Sequence, residues 1–162
     1  METLLHEALH EKMACIRLTS NLLRAGYDDL DSETRGDVLV PWPSVNRPRY
    51  WSFARALAAY HVYVHTSALY FLLLQTPAAL HSVATEDLLQ RFKSQFERAS
   101  YLHAALQSDW CQPYADMDAK DFFAWAGAVL EALERVRGDY IPAMQTWSYS
   151  EIKAAEDARR AA

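Results

Sequence analysis

The sequence predicts an all-α fold: an up-and-down bundle of four main helices followed by a C-terminal helix. Twenty-six alanines stand against four glycines and six prolines in 162 residues. A β-sandwich or a nucleotide fold with a glycine-rich first turn needs more turn residues than that. Leucine, arginine and glutamate, strong helix formers like alanine, are abundant, and apolar residues recur at helical spacing over long stretches. A chain of this length is the size of one domain. The expected organisation is a single helical domain over 1–162 with a Pro/Trp-containing loop at 27–50.

The first helix is predicted from Thr3 to Ala25, with Leu5, Leu9, Ile16 and Leu23 at helical spacing and Gly26 as its stop. Residues 27–50 then read as irregular, because Pro41, Pro43 and Pro48 within eight residues prevent a helix. A loop of this length inside a compact domain is uncommon unless it serves a function. The second helix runs from Tyr50 to Gln75 and ends before Pro77. The third starts at Thr85, a cap candidate followed by Glu86 and Asp87. Its apolar stripe is Leu88, Leu89, Phe92, Phe96, Ala99, Leu102 and Leu106. The fourth follows the cap candidate Asp118 and reaches Arg137, with Gly138 as its stop, and Pro142 opens a fifth. The largely polar end of that fifth helix, from Glu151 to Ala162, reads as a solvated tail. No internal repeat is visible.

The net charge of −5 argues against a nucleic-acid partner, which needs a basic face. Cys15 and Cys111 are not in a C-x-x-C pair and read as reduced, mostly buried thiols of a cytoplasmic protein. The N-terminus lacks the basic-then-apolar pattern of a signal peptide. The apolar stretch from Ala56 to Leu74 approaches membrane-span length but carries His61 and His65 near its centre. It therefore reads as the central helix of a bundle, not as a membrane segment.

Candidate chemistry begins at His6-Glu7-Ala8-Leu9-His10, an HExxH sequence. Two histidines four apart on a helix lie about 40° apart round its axis, so both rings can reach one metal ion, with a glutamate beside them. His61 and His65 repeat the spacing, on a face shared with Ala54, Ala58, Ala68 and Leu72. Mostly small residues there leave room in front of the imidazoles. The metal ligands expected are His6, His10 and His61, with His65 as the alternate, held between the first and second helices. Their ring nitrogens would meet at one point, each roughly 2 Å away. His81 and His103 read as ordinary structural histidines, and Phe122, Phe123 and Trp125 as core packing. Arg17 lies seven residues beyond His10, about 10 Å along the same face, where it can hold a ligand carboxylate or pair with the acidic segment 28–31.

Three segments carry a resemblance. They are Leu4-Leu5-His6-Glu7-Ala8-Leu9-His10 opening a helix, Val40-Pro41-Trp42 with Arg47-Pro48 in the loop, and Ala58-Ala59-Tyr60-His61-Val62-Tyr63-Val64 on the second helix. In this order and spacing, over about residues 4–72, the chain resembles the catalytic region of the HExxH-type 2-oxoglutarate-dependent peptide β-hydroxylases. The resemblance implies a non-haem Fe(II) site that takes 2-oxoglutarate, with His6 and His10 on the motif positions and His61 near the further histidine. Glu7 is then the catalytic candidate, as a ligand, as a hydrogen-bond partner that orients a ligand, or as a proton acceptor. The second of these is favoured, since adjacent helical residues point about 100° apart. Trp42 is expected to pack against the mouth of the metal pocket, with Arg47 pointing into it as a further carboxylate holder or capping it, and a structural salt bridge is the competing reading for Arg47.

Family members are much longer, with the motif well inside the chain. A partner chain supplying the missing N-terminal region is therefore one expectation. The substrate implied is a peptide or carrier-bound amino acid. Two other readings compete. In one the protein is a zinc-dependent hydrolase or transferase, with Glu7 activating zinc-bound water. In the other it is a non-catalytic helical interaction protein whose aromatic residues, 12% of the chain, form a binding surface.

Overall fold

The computed structural model describes residues 2–30, 37–42, 50–77, 83–141 and 147–161. Among these residues the fold is all-α, apart from one two-stranded sheet. Its elements are α1 (Glu2–Thr19), β1 (Val38–Leu39), β2 (Tyr50–Trp51), α2 (Phe53–Gln75), α3 (Thr85–Leu106), a 3-10 turn at Gln112–Tyr114, α4 (Met117–Arg137) and α5 (Tyr149–Ala161).

The helix α2 is apolar nearly all round. Such a helix must be enclosed on most sides, and the other elements pack about it. By length and composition it is also long and apolar enough to cross a membrane. Its start is fixed by Ser52, whose hydroxyl accepts from the Arg55 N–H at 3.2 Å. Contacts between α2 and α3 pair Tyr60 with His103, Thr66 with Gln95 and Phe71 with Phe92. The numbers rise on one helix as they fall on the other, so the two run antiparallel. Between α2 and α4, His61 meets Phe122 and His65 meets Trp125. Here the numbers rise together, so these helices are parallel. This is the up-and-down order expected from the sequence.

Several boundaries differ from expectation, each because a tertiary contact intervenes. The first helix ends at Thr19, not Ala25. The chain then leaves the helix to bond with the start of α4: the Asn21 N–H donates to Asp118 Oδ2 at 2.7 Å and the Asp116 N–H to the Leu22 carbonyl at 3.2 Å. Gly26 stops no helix but holds a left-handed conformation (φ 80°) in a later turn. Asp118 is consequently not the cap of α4. That role falls to Asp116, whose carboxylate accepts from the Met117 N–H at 2.7 Å.

The loop at 27–50 is not simply irregular. Its Val38 and Leu39 pair antiparallel with Trp51 and Tyr50, which the sequence placed in a helix. Asp37, Val38, Leu39, Val40 and Trp42 are all buried. The hydroxyl of Tyr101 donates to the Leu39 carbonyl and that of Tyr149 to the Asp37 carbonyl. The polar C-terminal segment is not wholly solvated either, for Glu156 is buried and accepts from the Tyr50 hydroxyl. Cys111 is buried as expected, but Cys15 is exposed. Pro142, His81 and Arg47 lie outside the described residues.

Trp42 is the hub of an aromatic cluster. Its ring centroid lies 5.5–6.1 Å from those of Trp51, Tyr63, Tyr101 and Trp147, with the Arg98 guanidinium 5.6 Å from its own ring. Tyr63 stands two residues from His61, about 200° round α2. Trp42 therefore packs on the far side of α2 from His61, and the expected place at the mouth of a pocket there is not the one it takes. Replacing it by alanine should cost about 3–5 kcal/mol, read from urea unfolding.

His103 sits where α3 meets α4. The Gln107 amide N–H donates to His103 Nε2 at 2.7 Å, which leaves the ring proton on Nδ1, 2.6 Å from the Tyr60 oxygen. It is the structural histidine expected. Gly127 admits it: a Cβ there would stand 2.9 Å from His103 Cε1. A glycine-to-alanine change inside a helix usually stabilises by about 0.5–1 kcal/mol. Here Gly127→Ala should instead destabilise by about 1–3 kcal/mol through overpacking. In a His103→Ala background the same change should become stabilising, and a double-mutant cycle in urea checks both signs.

Candidate functional site

Two histidine pairs, 51 residues apart or more in sequence, lie on adjacent helices because α1 packs on α2. On α1, Leu9 and Met13 are buried and Ile16 is half-buried, forming the stripe that rests on α2. His6 and His10 flank this stripe on one side. Lys12 flanks it on the other, roughly 120–160° round the helix from the histidines. The Nε2 atoms of His6 and His10 lie 3.1 Å apart. Two nitrogens at metal-bonding distance from one ion, at angles of about 90–105°, span about 2.9–3.3 Å. The pair thus has the bite of two ligands.

On α2, His61 is only 1% exposed, and neither ring nitrogen has a hydrogen-bond partner among the described residues. A buried polar group in that condition calls for a ligand or carries a desolvation cost of about 1–3 kcal/mol. Burial, with the charges of His65, Lys12 and His10 added, pushes the His61 imidazole down to about 4. Burial likewise lowers His65, again with Lys12 contributing. The ring of His65 lies 4.3 Å from that of His61, and its Nδ1 is 2.9 Å from the His61 carbonyl. A carbonyl only accepts, so Nδ1 carries the proton and Nε2 keeps the lone pair, the tautomer that a metal-binding histidine uses.

The fourth helix supplies the opposite wall. The ring of Phe122 is 6.0 Å from His61, and that of Trp125 is 5.1 Å from His65. Trp125 is 46% exposed, so it is not the core residue the sequence suggested. α1 and α4 each pack on α2 but scarcely on one another. The Phe122 and Trp125 rings thus cover the two α2 histidines from α4, and His61 is closed off from solvent. On the same face of α2, Ala54 is buried and Ala58 and Ala68 are half-buried.

The expected convergence of His6, His10 and His61 on one point is not formed. Among the described residues no three His, Cys, Asp or Glu side chains gather into a ligand set. The rings are engaged along their own helices: His6 with His10, and His65 with the backbone of His61. The chemistry of the donors nevertheless suits a transition metal. Imidazole is a ligand for iron, nickel, copper and zinc, and both the bite of the first pair and the unpartnered His61 fit such an ion.

Glu7 is exposed and makes no hydrogen bond among the described residues, so it does not orient either neighbouring ring. Arg17 is exposed in the last turn of α1 and pairs neither with the segment 28–30 nor with the histidines. Lys12 and the Phe122–Trp125 wall were missed from sequence. The charge on Lys12 gave no signal among sixteen lysines and arginines. The exposed face of α4 becomes visible only once α4 is set beside α2.

No protein-family model matches the chain, and no curated protein or solved structure is significantly similar to it.

Because folded His61 protonates near 4 and an unfolded histidine near 6.5, the unfolded chain takes up the proton first. Its contribution to stability is complete above pH 6.5 and is lost as pH falls from 6.5 towards 4. The metal-free protein should lose up to about 1.4 kcal/mol per pH unit across that window. In His61→Leu the slope should be smaller, a difference measurable by urea unfolding between pH 4.5 and 7.

Proposed function

We propose that the protein is a non-haem Fe(II)- and 2-oxoglutarate-dependent hydroxylase acting on a peptide or carrier-bound amino acid. The observation that carries the metal half of this reading is His61: a buried imidazole with both nitrogens unpartnered, within reach of the charge of His10 from the HExxH pair. The hydroxylase half rests on the resemblance over residues 4–72. His6, His10 and His61 are the ligands of this reading, with the Nε2 of His65 as the alternate donor, and the ion would have to draw the α1 pair and His61 together, since they do not converge without it. Three imidazoles leave positions open for small ligands on a six-coordinate ion. When bound, iron would supply O₂ activation coupled to decarboxylation of 2-oxoglutarate.

The chain's own contributions are positional. Both α2 histidines are neutral at pH 7, their protonation disfavoured by burial, and a metal ligand must be free of its proton. The rings of Phe122 and Trp125 exclude water from one side of the pair. Zinc hydrolysis is supported less, because Glu7, which would have to activate a zinc-bound water, is turned to solvent.

Protein purified without a histidine tag or chelator should bind close to one Fe(II), or Co(II) as its stand-in. His10→Ala and His61→Ala should each lower that affinity at least tenfold, read by equilibrium dialysis. Anaerobic addition of 2-oxoglutarate to the Fe(II)-loaded protein should give a visible charge-transfer band, and admission of air should yield succinate. Metal uptake with neither band nor succinate rejects the hydroxylase. Zinc as the metal recovered, with no 2-oxoglutarate binding, favours the hydrolase.

A further inference from the structure

The helices α3 and α4 run antiparallel, with the His103 ring set against Gly127. Alongside that contact a groove of about 600 Å³ opens between them, a volume within the range of small-molecule sites. Phe96, Ser100 and His103 recur at intervals of four and three, so one face of α3 forms its first wall. Leu130 and Glu131 follow Gly127 at three and four on the α4 wall. The lining is apolar where it is deepest, since Phe96 and Leu130 are both buried.

Three charged side chains of α4 border the groove: Glu131, Glu134 and Arg135. Glu134 is committed to Arg137, which donates to its two carboxylate oxygens at 2.5 and 2.6 Å. Glu131 and Arg135 stand four apart with the glutamate first, the order that favours an ion pair on a helix. No ion pair joins them among the described residues. Arg135 instead donates through Nε to the Glu131 carbonyl at 3.3 Å. Both terminal amino groups of its guanidinium, and the Glu131 carboxylate, have no protein partner among the described residues. Burial lowers the His103 imidazole against the opposing charge of Glu131, so that ring is neutral at pH 7.

An open carboxylate and an open guanidinium beside an apolar lining select a ligand that carries both charges next to an apolar group. A simple carboxylic acid is repelled by Glu131 and a simple amine by Arg135. The two charges of an α-amino acid lie about 3 Å apart across one carbon, and side chains four apart on a helix start about 5–6 Å apart. One such molecule therefore spans the pair. We propose that the groove between α3 and α4 binds a free α-amino acid with an apolar side chain. Glu131 takes its ammonium, Arg135 its carboxylate in a bidentate fork, and Phe96 and Leu130 its side chain. Phe122 and Trp125, which meet the α2 histidines, lie on the opposite side of α4. The groove is thus independent of the metal reading.

Equilibrium dialysis with labelled L-leucine and L-phenylalanine tests this, with 4-methylpentanoate and 3-methylbutylamine as single-charge competitors. The parent should bind one equivalent of at least one of the amino acids, and EDTA should leave that binding unchanged. Glu131→Gln and Arg135→Gln should each weaken it at least tenfold, with the urea midpoint kept. Each competitor should displace the label at least tenfold less effectively than unlabelled amino acid. No saturable binding to the parent, or both variants within twofold of it, overturns the proposal. Displacement by the amine as effective as by the amino acid makes the ligand an organic cation and overturns it as well. Binding abolished by EDTA places the ligand at a metal and does the same. If a variant shifts the urea midpoint, Glu131→Ala or Arg135→Ala is read in its place by the same criteria.

Discussion

Enclosing α2 is the constraint on which the rest of this structure depends. A 23-residue helix with apolar groups on almost every side cannot be left in water, and one neighbour covers only about a third of its circumference. The antiparallel α3, the parallel α4, the first helix and the buried hairpin strands each take a sector. The aromatic cluster around Trp42 closes the side towards α3 and α5. Beside His61 and His65, α1 and α4 rest on α2 without packing closely on each other, and the rings α4 brings to the pair are those of Phe122 and Trp125. The candidate site is thus a consequence of the packing, which buries the His61 imidazole without giving it a hydrogen-bond partner among the described residues.

That origin accounts for the electrostatics. Enclosed between helices, His61 has lost nearly all of its water and gained no hydrogen-bond partner among the described residues. Its proton affinity falls, and the neighbouring imidazoles and Lys12 lower it further. The same desolvation that disfavours a proton makes the ring a better partner for a metal or an anion brought in from solution, since either one satisfies the nitrogens that the fold leaves bare. His103 is the contrasting case. It is also lowered by burial, yet Tyr60 and Gln107 hold both of its nitrogens, and Gly127 gives up its side chain to make room. The buried His61 and the half-buried His103, on neighbouring helices, therefore differ in what they can do because of what surrounds them.

The fold class, the order of the four main helices and the two histidine pairs were legible in the sequence, because each is written in local terms. Alanine content and scarce glycine set helix propensity, a three- to four-residue period sets the buried face, and a four-residue interval sets two rings side by side. The boundaries that failed are those where a distant contact outweighs a local preference. Residues 20–25 have a helical pattern, but Asn21 and Leu22 gain hydrogen bonds from Asp118 and Asp116 nearly a hundred residues away. Asp118 is a good cap by position, yet its carboxylate serves α1, and Asp116 caps α4 instead. The hairpin strands of two residues each are too short for any alternation to register.

The sequence by itself determined which residues can carry chemistry, since the imidazoles, the ammonium and the spacing of each pair are properties of the chain. Tertiary structure decided which of them share a space. It laid α1 on α2 without joining the two histidine pairs, turned Glu7 outward, sent Trp42 to the opposite side of α2 from His61 and set Phe122 and Trp125 against the α2 histidines. The physical reason is that a helix fixes the angle and rise between its own residues, while its rotation against a neighbour is settled by burying the largest apolar area available. Leu9, Met13 and Ile16 set that rotation for α1, and the polar residues beside them went where the apolar stripe carried them.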